Sequence, residues 1–108
     1  MTKAGQELKS LDATFAALAH PSRRQILLVL KLRGGAMTAG DIAERFSCKW
    51  PTTTRHLQAL VNADLISVRK DGRERLYELN AERLTTVVSD WLSWFQAGSP
   101  ASTRPSRR

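Results

Sequence analysis

Near residue 65 the amino-acid sequence changes its hydrophobic period, and that change constrains the fold more than any other feature. Before it, apolar residues recur at helical spacing. After it, residues 65–70 and 73–79 flank Asp71-Gly72, a dipeptide that favours a two-residue hairpin turn. With that turn Lys70 faces Arg73, Arg69 faces Glu74, Val68 faces Arg75 and Ile66 faces Tyr77. Ile66, Val68, Tyr77 and Leu79 then share one face of the hairpin, which can pack on helices.

Four helices are expected ahead of the hairpin. Leu11, Phe15 and Leu18 recur at helical spacing, with Leu8 one turn earlier. Residues 1–10 read as a flexible lead-in, polar and without the apolar run of a signal peptide. The first helix ends near His20-Pro21, because the residue before proline avoids helical angles. Pro21 suits a first helical position, and Ile26, Leu27, Val29 and Leu30 continue the second helix until Gly34-Gly35 stops it. Thr38 caps a short third helix over 39–46, with Ile42, Ala43 and Phe46 inward and Asp41, Glu44 and Arg45 outward. Residues 47–50 lead to Pro51, which opens a fourth helix reaching about residue 63. Thr53, Leu57, Leu60 and Val61 are its buried stripe.

Asn80 can cap a last helix over 81–96, whose apolar face is Leu84, Val87, Val88, Trp91, Leu92 and Phe95, with Trp94 at the side. Residues 97–108 hold no core former and read as a disordered basic tail. The expected architecture is therefore one domain over 11–96, mainly α with a β-hairpin, in the order α-α-α-α-β-β-α.

A turn of about four residues between the third and fourth helices is the spacing of a helix-turn-helix, whose second helix enters the DNA major groove. The following hairpin would be a wing. Charge agrees: 17 Lys and Arg against 10 Asp and Glu give a net +7, which suits a polyanion. Between residues 45 and 75 the basic residues Arg45, Lys49, Arg55, Arg69, Lys70, Arg73 and Arg75 outnumber the acidic Asp64, Asp71 and Glu74.

Four segments together resemble the ArsR (arsenic-repressor-like) regulators. They are Leu18-Ala19-His20-Pro21-Ser22-Arg23-Arg24-Gln25-Ile26-Leu27, Gly40-Asp41-Ile42-Ala43-Glu44-Arg45-Phe46, Thr54-Arg55-His56-Leu57-Gln58-Ala59-Leu60, and Leu65-Ile66-Ser67-Val68-Arg69-Lys70-Asp71-Gly72-Arg73. The resemblance implies a winged helix-turn-helix fold. It also implies a bacterial cytoplasmic homodimer, paired through its first and last helices, that represses transcription at an imperfect palindrome, its own operon included. Lys49 and Trp50 depart from the family, which has a small polar cap and a glutamine before the proline. Tryptophan cannot make glutamine's bidentate base contact.

The expected DNA-binding residues are Lys49, Trp50, Thr52, Thr54, Arg55, His56 and Gln58 on or before the fourth helix, and Lys70, Arg73 and Arg75 on the wing. Arg55 can read guanine, Gln58 can reach a phosphate, and threonine methyls can touch thymine methyls. Lys70 opposite Arg73 is unfavourable alone and becomes a clamp around a phosphate. The expected dimer interface is Leu8, Leu11, Phe15 and Leu18 with Leu84, Val87, Val88, Trp91, Leu92 and Phe95, since so short a chain cannot bury them all.

Metal sensing is not expected. The family's ligand positions carry Thr38 and Gly40 on the third helix, and on the last helix Asp90 and Glu82 without a histidine. Cys48, His20 and His56 lie on different elements, whereas a zinc site needs about four ligands. A single cysteine fits a reducing cytoplasm, and no apolar run is long enough to span a bilayer. Neither a catalytic constellation nor a Gly-rich phosphate loop is present, so no enzyme activity and no cofactor are expected. The rival readings are a winged-helix protein-interaction module, which an acidic or apolar recognition face would favour, and a metal-responsive repressor with atypical ligands. The residues do not identify an inducer, small molecule or protein.

Overall fold

The structure, a computed structural model, describes residues 3–45 and 50–96. The elements are α1 (Lys3–Leu18), α2 (Pro21–Arg33), β1 (Met37–Thr38), α3 (Ala39–Ala43), α4 (Trp50–Asn62), β2 (Ile66–Asp71), β3 (Glu74–Leu79) and α5 (Ala81–Leu92), then a 3₁₀ turn at Ser93–Phe95. Side chains are described between Gly5 and Arg45 and between Thr52 and Gln96.

Local chemistry explains most boundaries. His20 is extended (φ −97°, ψ 124°) before Pro21 at the start of α2, as a pre-proline residue must be. The Arg24 guanidinium donates to the Leu18 carbonyl at 2.6 Å, satisfying an acceptor that the end of α1 leaves open. Gly34 takes φ 74° and its N–H donates to Leu30 O, while Lys31 and Arg33 complement the negative end of α2. The Thr38 hydroxyl accepts from the Asp41 N–H at 3.1 Å and caps α3 as expected. Asp64 adopts φ 63° after α4. There its N–H donates to Val61 O at 2.9 Å, and the Leu65 N–H donates to Leu60 O at 3.0 Å. This is the Schellman closure with aspartate in the left-handed position that glycine usually fills.

One core joins these elements. Ile26, Leu27 and Leu30 of α2, Met37 of β1, Ile42 of α3, Leu57 and Leu60 of α4, and Leu65, Ile66 and Tyr77 are buried together, with Ala17 from α1. The sheet order is β1-β3-β2, all antiparallel.

Several expectations are corrected. The lead-in expected at 1–10 is helical from Lys3. Its packing on α5 provides what a lone polar segment lacks, since tertiary contact supplies most helical stability. β1 was not expected; it pairs Met37 with Tyr77 and Thr38 with Leu76, and two residues carry too little pattern to read. Asn80 stands at the α5 N-cap without a capping hydrogen bond, because its side-chain amide donates instead to Asp64 O at 2.8 Å. The last helix gives way to a 3₁₀ turn after Leu92, where the Ser93 hydroxyl donates to Asp90 O at 2.7 Å, a side-chain bond that competes with helical continuation. Phe46 and the tail 97–108 lie outside the described residues.

The hairpin register also differs. Asp71 pairs with Glu74, Lys70 with Arg75, Arg69 with Leu76, Val68 with Tyr77 and Ile66 with Leu79. The central turn residues are therefore Gly72 and Arg73. Gly72 has φ 68° and Arg73 no positive φ, the sign pattern of a type II′ turn with glycine first. Each residue's partner moves by two positions, so the faces survive. Ile66 and Tyr77 are buried and Leu79 half-buried, while Val68 remains exposed.

Two leucines of α2 test this packing. Leu30 is 1% exposed and Leu32 83%. Leu30→Ala is expected to destabilise the protein by about 2–5 kcal/mol. Leu32→Ala should stay within about 0.5 kcal/mol, both measured by urea denaturation at one protein concentration.

Candidate nucleic-acid interface

The 3.6-residue period of α4 divides its side chains. Thr53, Leu57 and Leu60 are buried, and Val61 is half-buried. Thr54, Arg55 and Gln58 on other faces are exposed, with Thr52 and His56 half-buried at the flanks. The helix carries no acidic residue in its first turn, which leaves its positive end uncompensated. Lys49 lies outside the described residues, and of Trp50 only the backbone is described, at the first position of α4.

Two of these side chains have partners within the protein. The Gln58 amide donates to Asn62 Oδ1 at 3.0 Å, one turn along α4. His56 Nδ1 accepts from the Arg23 Nε–H of α2 at 3.3 Å, and the His20 and His56 rings lie 4.9 Å apart. Partial burial, then the neighbouring His20, Arg23 and Arg55, lower the His56 imidazole below its ordinary value. Arg23 was not among the expected site residues. It meets His56 across 33 positions of sequence, a contact that no local pattern signals.

On the hairpin, Lys70, Arg73 and Arg75 are exposed. The expected opposition of Lys70 to Arg73 is replaced by Lys70 opposite Arg75, since Arg73 occupies the turn itself. Alternation places Lys70 and Arg75 on the face that Ile66 and Tyr77 turn toward the helices. The like-charged pair thus continues the core side of the hairpin past the end of the core. Arg69 is on the other face, 3.6 Å from Glu78 with both side chains half exposed or more, a pair that water weakens to little.

The apolar residues expected at a dimer interface lie on α1 and α5. Leu11, Phe15, Leu18, Leu84, Val87 and Val88 are half-buried. Leu8 is 62% exposed, Trp91 39%, Leu92 42% and Phe95 70%. The Phe15 and Trp91 rings meet edge to face at 5.1 Å, and Trp91 meets Phe95 at 5.0 Å. A groove of about 650 Å³ between the two helices is lined by Leu8, Leu11, Val87, Trp91 and Trp94, with Arg83 and Asp90 among its polar groups. No residue of α5 is fully buried.

Among the described residues no group of three or more His, Cys, Asp or Glu could hold a metal ion. No helix among them is long and apolar enough to cross a membrane. Cys48 lies outside the described residues.

The opposed Lys70 and Arg75 cost stability in the free protein. Lys70→Glu is expected to stabilise it by about 0.2–1 kcal/mol, read from urea denaturation. A loss of stability would show that the two cations do not face each other.

Comparison with known proteins agrees with this arrangement. Residues 18–69 match the helix-turn-helix domain family. The chain is 43% identical over 84 residues to the transcriptional repressor SdpR of Bacillus subtilis (strain 168), which covers 78% of this chain and 87% of that protein. It superposes with a TM-score of 0.72 on the crystal structure of an ArsR family transcriptional regulator at 32% identity, over 82% of this chain and 88% of that one. A solution structure of a homodimeric winged helix-turn-helix DNA-binding domain from Mycobacterium bovis superposes with a TM-score of 0.69 over 100% of this chain and 96% of that one. At 19% identity that last likeness is one of fold. With a helix pair and hairpin in the expected order, and a relative this similar over most of both chains, the protein belongs to the ArsR family of winged helix-turn-helix transcriptional regulators.

Proposed function

We propose that the chain is a homodimeric repressor that inserts α4 into the DNA major groove at an imperfect palindrome, its own promoter included. The observation that carries this reading is the exposed face of α4. It presents Thr54, Arg55 and Gln58 to solvent, with hydrogen-bonding groups of the right length and no carboxylate. Arg55 is the base reader, suited to guanine O6 and N7. Thr52 and Thr54 flank it, with Lys49 and Trp50 preceding. Gln58 must leave Asn62 to reach a phosphate. The wing cations Lys70, Arg73 and Arg75 hold the adjacent backbone, where one phosphate between Lys70 and Arg75 relieves their mutual repulsion.

Dimerisation follows from the groove between α1 and α5. Aromatic side chains at 70% exposure, as Trp94 and Phe95 are, are costly to leave in water. The occupant is a second copy of the chain, related by a two-fold axis that sets the same residues against each other. The homodimeric fold relative supports this choice. Such a pair carries two α4 helices about 34 Å apart, one turn of DNA. A repressor of this kind works in the bacterial cytoplasm, at the nucleoid when bound, and needs no cofactor, metal or catalytic residue.

Selection of bound duplexes from a random pool tests the reading, with a two-fold consensus as the expected result. On the selected duplex Arg55→Ala should weaken binding by about 1–3 kcal/mol and relax the base preference at one position of each half-site. Unchanged affinity and preference would count against the assigned face. Trp91→Ala should raise the dimer dissociation constant by tenfold or more, about 1.4 kcal/mol. Sedimentation showing an undisturbed dimer would refute that role.

A further inference from the structure

A cluster at the junction of α2 and α4 goes beyond the residues assigned to the groove and the wing. The Arg23 Nε–H donates to His56 Nδ1 at 3.3 Å. The His20 ring stands 4.9 Å from the His56 ring, inclined at 53°. His56 follows Arg55 on α4, so the two side chains are turned about 100° apart around the helix. The cluster therefore borders the face assigned to DNA, on the side where α2 begins. His20 and Arg55 are exposed, and Arg23 and His56 are half-buried.

Among the described residues, the groups that face His56 are basic: His20 from the turn before α2, Arg23 from α2 and Arg55 from α4. Arg24, the next cation of α2, is turned away to the Leu18 carbonyl. Among the described residues the ion pairs found are Arg69 with Glu78 and Arg83 with Asp64, so none of the four is joined to a carboxylate there. Basic groups gathered without a counter-ion repel one another, and an anion set among them removes that repulsion.

We propose that His20, Arg23 and His56 form a second phosphate site, which grips a phosphodiester of the same duplex whose bases α4 reads. It rests on the DNA-binding reading above. Arg23 supplies permanent charge, His56 supplies charge that depends on pH, and His20 supplies a further ring N–H donor. In the free protein the His56 Nδ1 lone pair accepts from the Arg23 Nε–H, while partial burial and the neighbouring basic groups lower the imidazole below its ordinary value. A phosphate favours the cationic imidazole, so binding takes up protons, and by linkage affinity rises as pH falls. A proton on Nδ1 also ends its role as acceptor. The Arg23 guanidinium is then released toward the same phosphate.

The test is fluorescence anisotropy with a random-sequence duplex about three helical turns long, at fixed ionic strength from about pH 8 to about pH 5.5. The wild-type protein should bind about threefold to tenfold tighter at the acid end, a small part of the roughly 300-fold that uptake of one whole proton across this range would give. Arg23→Gln should lower affinity and reduce the salt slope by about 0.9 for each protomer bound. The chain has two histidines, and His20→Gln with His56→Gln together should flatten the pH profile while binding persists at about pH 8. Lys70→Gln on the wing is the reference. If Lys70→Gln weakens binding while Arg23→Gln keeps wild-type affinity and salt slope, the second site is overturned and the DNA reading stands. If neither variant changes binding, the second site and the wing contact both fall; if the wild-type protein does not bind the duplex, the DNA reading falls and this site with it. A full pH dependence retained in the double histidine variant also overturns the proposal. Should that variant fail to fold by circular dichroism, the salt slope of Arg23→Gln decides alone.

Discussion

Leu57 and Leu60 are completely withdrawn from solvent in a core shared with Ile26, Leu30, Ile42 and Ile66. Full burial of each is worth about 1.5–3 kcal/mol, so α4 cannot turn about its own axis without losing more than most single contacts provide. That rotational lock makes the opposite face of the helix a fixed surface. Arg55 is presented outward by the burial of the leucines two and five positions after it. The same core holds Ile66 and Tyr77 at the root of the hairpin, so one apolar cluster orients the helix and the wing together. Electrostatics enter only afterwards, as the cations that the packed scaffold leaves at its edge.

The parts legible in the sequence were those governed by period or by a single residue's stereochemistry. The α4 stripe, the proline at the start of α2, the Thr38 cap and the glycine after Arg33 are local, and each was read in place. The hairpin was legible as a hairpin and in its faces, because alternation has a period of two. Its partners were not, because Asp71-Gly72 and Gly72-Arg73 are both feasible turns and the choice is made by the strands' packing. Asn80 shows the same limit. Its amide had the chemistry of a cap, yet a carbonyl exposed by the left-handed Asp64 lies within reach and takes it. Contacts between distant segments were invisible: β1 against β3, and Arg23 against His56, depend on where the core places helices.

The α1–α5 surface stands apart from that core. α5 contributes the half-buried Leu84 to the central cluster, and beyond it Phe15, Trp91 and Phe95 meet edge to face in a row. Such an aromatic row is apolar, which suits the dimer interface proposed for this surface. The early helical start at Lys3 belongs to the same surface, since it brings Leu8 alongside the groove. The short Asp64–Asn80–Arg83 network ties the root of α5 to the end of α4.

In the function proposed, the exposed face of α4 occupies a major groove of DNA. Guanine N7 lies only in that groove, so dimethyl sulfate protection on a duplex selected for binding reads the contact itself. Protection in two patches about one helical turn apart, abolished when Arg55 is replaced, is the predicted result. Tight binding with every guanine N7 still freely methylated would contradict it.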